Sequence, residues 1–210
     1  MSRIKISGIS GSPRNAATER AILASLQYME GKFQAITRFQ SARRKNIKFC
    51  IHCDHCIKTK EGCIHDDDMG PIYEDLEWAD AIIMGTPVYH GTLSAQLKAI
   101  IDRTRAMVAR DYKIFEGKLG IALTTAGDRN GGQEHAIQAI HDFFIINLMI
   151  PVAGGAFGAN FGITFWSKDL RAEGVDADEQ GKKSMKKVLR RVGKLLQARF
   201  ESKIDIRDGL

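Results

Sequence analysis

Ala81-Ile82-Ile83-Met84-Gly85-Thr86-Pro87-Val88-Tyr89-His90-Gly91 begins with four consecutive apolar residues and ends in a loop stiffened by Pro87 and bounded by two glycines. An apolar run stopped at a glycine is the pattern of a strand buried on both faces, as in a parallel sheet. The same signature recurs on either side. Ile4, Ile6 and Ile9 lead into Ser10-Gly11-Ser12-Pro13, residues 119–123 form a second continuous run, and residues 150–153 a short last one. Residues 33–39 alternate with period two. Between these runs the spacing becomes helical. Ile22, Leu23 and Leu26 lie in a helix over about 18–29; Leu93, Leu97, Ile100, Ile101, Thr104 and Val108 share one stripe; Ala136, Ile137, Ile140 and Phe144 share another. Parallel neighbours need crossover helices, so the alternation predicts an α/β fold: a doubly wound, five-stranded parallel sheet with helices on both faces. Ligands of such sheets gather outside the C-terminal strand ends, here after Ile9, Met84 and Leu123.

The chain has 210 residues, 44% hydrophobic and 27% charged, enough for one domain spanning 1–210 with a sizeable core, and not the composition of a disordered chain. The longest apolar candidate, residues 143–152, is interrupted by Asn147 and Pro151, short of the roughly 18–20 residues of a membrane helix. Met1-Ser2-Arg3-Ile4-Lys5 carries no signal-peptide pattern, so a cytoplasmic location and no membrane partner are expected. The net charge is +6, but Lys182, Lys183, Lys186, Lys187, Arg190, Arg191, Lys194 and Arg199 follow one another without an acidic residue, and removing these eight turns +6 into −2. The basic character therefore belongs to one C-terminal helix over about 176–200, with Met185, Val188, Val192, Leu195 and Leu196 on its inner face, and argues against a nucleic-acid partner. That helix reads either as a solvated face or as a docking patch for an acidic protein.

The three strand-end loops are unusual. Ser10-Gly11-Ser12-Pro13-Arg14-Asn15-Ala16-Ala17-Thr18 lacks a dinucleotide fingerprint and a Walker lysine, yet offers hydroxyls at 10, 12 and 18, an amide at 15 and a cation at 14 ahead of a helix. A phosphate monoester suits such a loop; an ordinary strand-helix turn with Thr18 as N-cap is the other reading. The loop after residue 84 presents Tyr89 and His90 as flat faces, and Thr124-Thr125-Ala126-Gly127-Asp128-Arg129-Asn130-Gly131-Gly132 permits close backbone approach. Together the loops suit a flat ring with a phosphate tail, as in FMN.

Gly8-Ile9-Ser10-Gly11-Ser12-Pro13-Arg14, Gly85-Thr86-Pro87-Val88-Tyr89-His90-Gly91 and the Thr124-Thr125-Ala126-Gly127 loop followed by Gly131-Gly132-Gln133-Glu134 resemble the flavodoxin-like NAD(P)H:FMN reductase superfamily, over roughly residues 3–155. The resemblance implies Ser10, Ser12, Arg14, Asn15 and Thr18 around the FMN phosphate. It implies Thr86, Pro87, Val88, Tyr89, His90 and Gly91 along the isoalloxazine ring, and Thr125, Ala126 and Gly127 on another side of it.

All four cysteines fall within Cys50-x2-Cys53-x2-Cys56-x6-Cys63. Three thiols at i, i+3 and i+6 can curl around one centre while a fourth closes the cage, which suits a [4Fe–4S] cluster with one thiolate per iron. A zinc site stays open because His52, His55 and His65 are nearby, although structural zinc sites more often join two separate Cys-x2-Cys knuckles. Disulfides fit an intracellular chain poorly. The histidines either donate to sulfur or face solvent. Asp66, Asp67 and Asp68 precede the stripe Met69, Ile72, Tyr73 and Leu76 and read as caps of that helix.

A cysteine loop at 50–63 inserted in an FMN-reductase framework resembles the iron–sulfur flavoproteins, a likeness that extends through Phe157-Gly158-Ala159-Asn160-Phe161-Gly162 and Phe165-Trp166-Ser167-Lys168-Asp169. It implies a flavodoxin-like core, FMN and a [4Fe–4S] cluster on Cys50, Cys53, Cys56 and Cys63. It also implies a homodimer or homotetramer that brings the cluster and flavin of neighbouring subunits together, ferredoxin or a similar carrier as donor, and a small-molecule acceptor. No side chain is assigned as catalytic acid or base. The alternatives are an NAD(P)H-dependent FMN or quinone reductase with a structural metal site, and a redox or oxygen sensor acting through its basic helix.

Overall fold

The computed structural model describes residues 4–202; Met1 to Arg3, read above for the absence of a signal, and residues 203–210 lie outside the described residues. In chain order the elements are β1 (Lys5–Ser10), α1 (Ala17–Phe33), β2 (Ile36–Ser41), α2 (His55–Thr59), α3 (Gly70–Trp78), β3 (Ala81–Pro87), α4 (Ala95–Arg103), α5 (Arg105–Arg110), β4 (Leu119–Ala126), α6 (Gln133–Ile146), β5 (Ile150–Pro151), β6 (Ile163–Trp166), α7 (Arg171–Ala177) and α8 (Glu179–Ser202). The strands pair in parallel in the order β2-β1-β3-β4-β5, the flavodoxin-like order. The fifth position is shared: β5 pairs with Leu119 and Gly120 at the start of β4, and β6 pairs with residues 123–126 at its end.

Alternation within the apolar runs feeds both faces. Ala81, Ile83, Ile121 and Leu123 join Ile22, Leu26, Val188, Leu189 and Val192 beneath α1 and α8. Ile82, Met84 and Ala122 join Ile72, Leu76, Leu97, Ile100, Ile140 and Phe144 beneath α3, α4 and α6. All eight basic residues of the C-terminal stretch sit on α8, on the opposite face of the sheet from α3, α4 and α6.

Several sequence expectations shift. The residue 33–39 strand starts only at Ile36, because α1 continues to Phe33 and stops where Gln34 turns left-handed (φ 53°). The Phe33 ring lies against Gly193 of α8, where an added Cβ would come within 2.3 Å of it. The single stripe from 93 to 108 is two helices. Thr104 ends α4 and starts α5, and its hydroxyl donates to the Ile101 carbonyl (2.7 Å). The last strand covers only Ile150 and Pro151, while β6 and α7 were not anticipated. Thr18 is not the N-cap of α1; Ala16 is. Met69 is the N-cap of α3, no side chain caps that helix, and Asp67 and Asp68 bind chiefly across the cysteine segment, as described below.

Gly120 of β4 faces the ring of fully buried Phe144, and an added Cβ would lie 2.5 to 2.8 Å from three ring atoms. Gly120→Ala is therefore expected to lower stability by about 1–3 kcal/mol, measured by urea denaturation.

Candidate flavin and iron–sulfur sites

Because every strand runs the same way, Ser10, Ser41, Pro87, Ala126 and Trp166 end at one edge of the sheet. The loops leaving that edge are bonded to one another. Gly11 N donates to Gly85 O (2.8 Å), and the Ser94 hydroxyl donates to Gly11 O (2.7 Å). Thr18 and Thr125 share a hydroxyl–hydroxyl bond of 2.7 Å, and Val88 N donates to Thr125 O (2.9 Å). Gly11 has no room for a side chain, since a Cβ would come within 2.4 Å of Leu97 Cβ.

In the first loop Ser12 N donates to Ser10 Oγ (3.2 Å), and Ser12 Oγ donates to the Arg14 carbonyl (2.9 Å). Ser10, Ser12 and Thr18 are buried, whereas Arg14 and Asn15 are exposed. No side chain caps α1, so the leading N–H groups of a 17-residue helix remain for an outside acceptor. That is the donor set a phosphate needs.

In the second loop Tyr89 and Thr92 exchange backbone bonds around His90 (φ 47°) and Gly91 (φ 80°), so a tight reversal carries Tyr89 half-exposed at its base. Thr86 is fully buried, and its hydroxyl accepts from Ser94 N (2.9 Å), which leaves that side chain committed to the loop itself. In the third loop Trp166 Nε1 donates to Gly127 O (2.7 Å), and Ser167 donates to Ala126 O through its backbone and its hydroxyl. Gly132 (φ 102°) is pressed on Gly91, so a Cβ there would lie 2.5 Å from the Gly91 carbonyl oxygen. The sequence reading missed Ser94, which joins the first two loops; its place three residues before Leu97 was an available N-cap signal. Asp169, which the sequence marks only as part of the resemblance, places its carboxylate in the space beside Gly127.

The cysteine segment leaves the same edge after β2, and Ala42 N donates to Ser10 O (2.8 Å). Its two legs are zipped together. Asn46 N donates to Asp68 Oδ2 (2.6 Å), Asp68 N to Asn46 O (3.1 Å), and Lys48 N to Asp67 Oδ2 (3.0 Å). Asp67 also accepts from Met69 N (3.2 Å), but its main partner is Arg103, which grips it through both terminal nitrogens (2.6 and 3.0 Å) and donates to Lys48 O (2.8 Å). The two side chains are 1% and 0% exposed. Burial opposes ionisation of Asp67, yet Arg103 and the two backbone donors outweigh it and hold the carboxyl below its ordinary range. The Tyr73 hydroxyl donates to Arg103 O (3.0 Å), and burial pushes its pKa up to about 12.

Beyond this clasp all four cysteines are free thiols, and they border one small cavity together with Ile51, Asp54, Ile64, His65 and Arg105. Cys56, on α2, is buried, Cys50 and Cys63 are half-buried, and Cys53 is exposed. Burial pushes the Cys56 thiol up; Arg105 pulls it back, and the Cys63 and Cys50 thiols push the same way as burial. Among the described residues no three His, Cys, Asp or Glu side chains are placed to hold a single metal ion. Four thiols spread around one cavity are a donor set that a multi-iron cluster, taking one thiolate per iron, can use. Of the histidines, His65 Nε2 lies 3.2 Å from Phe49 O, and His52 is exposed with Nδ1 3.9 Å from Asp54.

These loops at the junction of β1 and β3 define a flavin-binding redox protein: residues 4–164 match the NADPH-dependent FMN reductase family. The chain belongs to that family and, within it, to the iron–sulfur flavoproteins. It is 54% identical over 194 residues to an iron-sulfur flavoprotein of Methanocaldococcus jannaschii, covering 92% of this chain and 98% of the relative. It is 51% identical over 193 residues to one of Archaeoglobus fulgidus, covering 91% and 97%. The fold is similar to that of an NADH:FMN oxidoreductase, EMOB (TM-score 0.65, 14% identity, 90% of this chain and 88% of the other). It is also similar to RosB (TM-score 0.68, 12% identity, 93% and 81%). No helix among the described residues is long and apolar enough to cross a membrane.

Two expectations follow. Asp67→Asn removes one partner of a buried pair and should cost about 3–5 kcal/mol in urea unfolding. Since folding lowers the Asp67 pKa, its contribution is complete above the ordinary carboxylate value of about 3.9 and is lost as pH falls through the lower folded value, so acid titration of the wild type should show a destabilisation that Asp67→Asn lacks. Gly132→Ala should strain the contact with Gly91 and weaken FMN binding by about tenfold, or 1.4 kcal/mol, in a flavin-fluorescence titration.

Proposed function

We propose that this flavoprotein is an oxidoreductase that takes single electrons from ferredoxin or a similar reduced carrier and delivers them through FMN to a small-molecule acceptor. FMN occupies the three loops, with its phosphate on the first and its ring between the second and third. Cys50, Cys53, Cys56 and Cys63 hold a [4Fe–4S] cluster. The observation that carries this reading is the presence of two donor sets in one chain: three strand-end loops bonded to one another at one sheet edge, and four free thiols bordering one cavity on the segment that leaves that edge after Ser41.

When bound, the two groups supply the electron chemistry, the cluster passing one electron at a time and the flavin accepting one or two. The protein's part is placement. The uncapped start of α1 and the hydroxyls beside it receive the phosphate, and the Gly91–Gly132 contact fixes the spacing of the two ring-facing loops. The Arg103–Asp67 clasp holds the thiol loop against α4. Around the thiols Phe49, Ile51, Ile57 and Ile64 are exposed apolar side chains, with Lys58 and Lys60 at the end of α2. An exposed apolar surface with two lysines on one flank suits contact with a second copy of the chain or with an acidic carrier. The basic face of α8, across the sheet, is less suited to electron delivery.

Anaerobically purified protein should be brown and contain FMN and about four irons per chain. Cys56→Ser should lose iron and ferredoxin-driven reduction of the flavin while keeping FMN. A colourless protein that takes up only zinc, or a variant with undiminished ferredoxin-driven reduction, would overturn the proposal.

A further inference from the structure

Arg103 and Arg105 flank the break at Thr104 and serve the two ends of the thiol loop. Arg103 grips its base through Asp67, while Arg105, the first residue of α5, reaches its tip. Arg105 Nη2 donates to Asp54 Oδ1 (2.6 Å), and Asp54 lies between Cys53 and α2 with a left-handed backbone (φ 60°). Arg105 lines the same cavity as all four thiols, and of the residues around that cavity it alone carries a permanent positive charge. The guanidinium interacts electrostatically with Cys56 and Cys50, whereas Asp54 is governed by Arg105, His52 and Lys58. The cation and its anchoring carboxylate therefore border the four sulfurs together.

We propose that Arg105, anchored by Asp54, sets the reduction potential of the cluster held by Cys50, Cys53, Cys56 and Cys63; this rests on the iron–sulfur reading given above. Each added electron makes a thiolate-ligated cluster more negative, so a fixed cation beside it favours the reduced state and raises the potential. Asp54 has two opposed effects: it holds the guanidinium in place and partly cancels its charge. Both side chains are partly exposed, 31% and 42%, so the influence is moderated by solvent and declines with salt.

The test is a dithionite titration of anaerobic holoprotein followed by EPR of the reduced cluster, with iron, sulfide and zinc assayed on each sample. Arg105→Leu should lower the midpoint potential by about 59 mV, a tenfold change in the one-electron equilibrium constant. Arg105→Lys should retain most of the wild-type value, and Asp54→Asn, which unmasks the guanidinium, should move the potential upward. Opposite signs for Arg105→Leu and Asp54→Asn mark a charge effect, because simple loosening of the loop would move both variants the same way. The proposal is overturned if Arg105→Leu keeps its iron with an unmoved potential, or if the two variants shift in the same direction. Should Arg105→Leu fail to hold iron, Arg105→Gln decides: a lowered potential supports the proposal, and an unmoved or raised one overturns it. Wild-type protein containing zinc and no iron overturns the cluster reading itself, which the metal assay separates from a failed tuning role.

Discussion

Parallel pairing of the strands is the constraint on which the sites depend. Hydrogen bonds between β1, β2, β3 and β4 in one direction oblige the chain to return along helices, so every loop leaving a strand end starts from the same edge. Chemistry spread over more than a hundred positions, from Ser10 to Gly132, is thereby gathered although the three loops lie far apart in sequence. The junction of β1 with β3, where the order of connection reverses, opens the crevice between the first two loops. Backbone contacts complete it: Gly11 against α4 and Gly132 against Gly91 bring main chains closer than side chains allow.

Most of the framework was legible in the sequence because its strands are buried on both faces and its helices on one. Continuous apolar runs at 81–84 and 119–123 have few other interpretations, and they became β3 and β4. The four cysteines declared themselves by spacing, and they do border one cavity. What escaped detection was set by tertiary contacts. A stripe of apolar residues does not record that Thr104 interrupts it, and Phe33 looked like a strand residue until α8 supplied Gly193 as the surface for its ring. The second half of the outer strand, β6, lies beyond an insertion that no local pattern predicts. Arg103 and Arg105 were invisible as partners of Asp67 and Asp54, since the sequence separates each pair by about 36 to 51 positions. Asp67 was read as a helix cap, and it does receive Met69 N, but the buried guanidinium is its stronger partner.

The thiol loop shows how a long excursion from a sheet can be kept rigid without a core of its own. Its tip exposes Phe49, Ile51, Ile57 and Ile64, so apolar burial contributes little there. Order comes from the base, where Asp67 accepts from both legs of the loop and from Arg103 at once. A buried pair of this kind adds modest net stability but is costly to break on one side, which favours a single geometry over a range of looser ones.

The divided fifth strand has a different consequence. A parallel sheet ending in a long bare strand offers its unpaired amides to any neighbour, and sheets extended in this way become fibres. Here the outer border is cut into β5 and β6, two and four residues long. The segment between them is folded back on itself, with the Lys187 ammonium drawing in the carbonyls of residues 155–158. Asp178 takes the Trp166 amide that would otherwise point outward. The interruption thus leaves this flank few consecutive free amides with which another sheet could pair, while the six-residue β2 forms the opposite border.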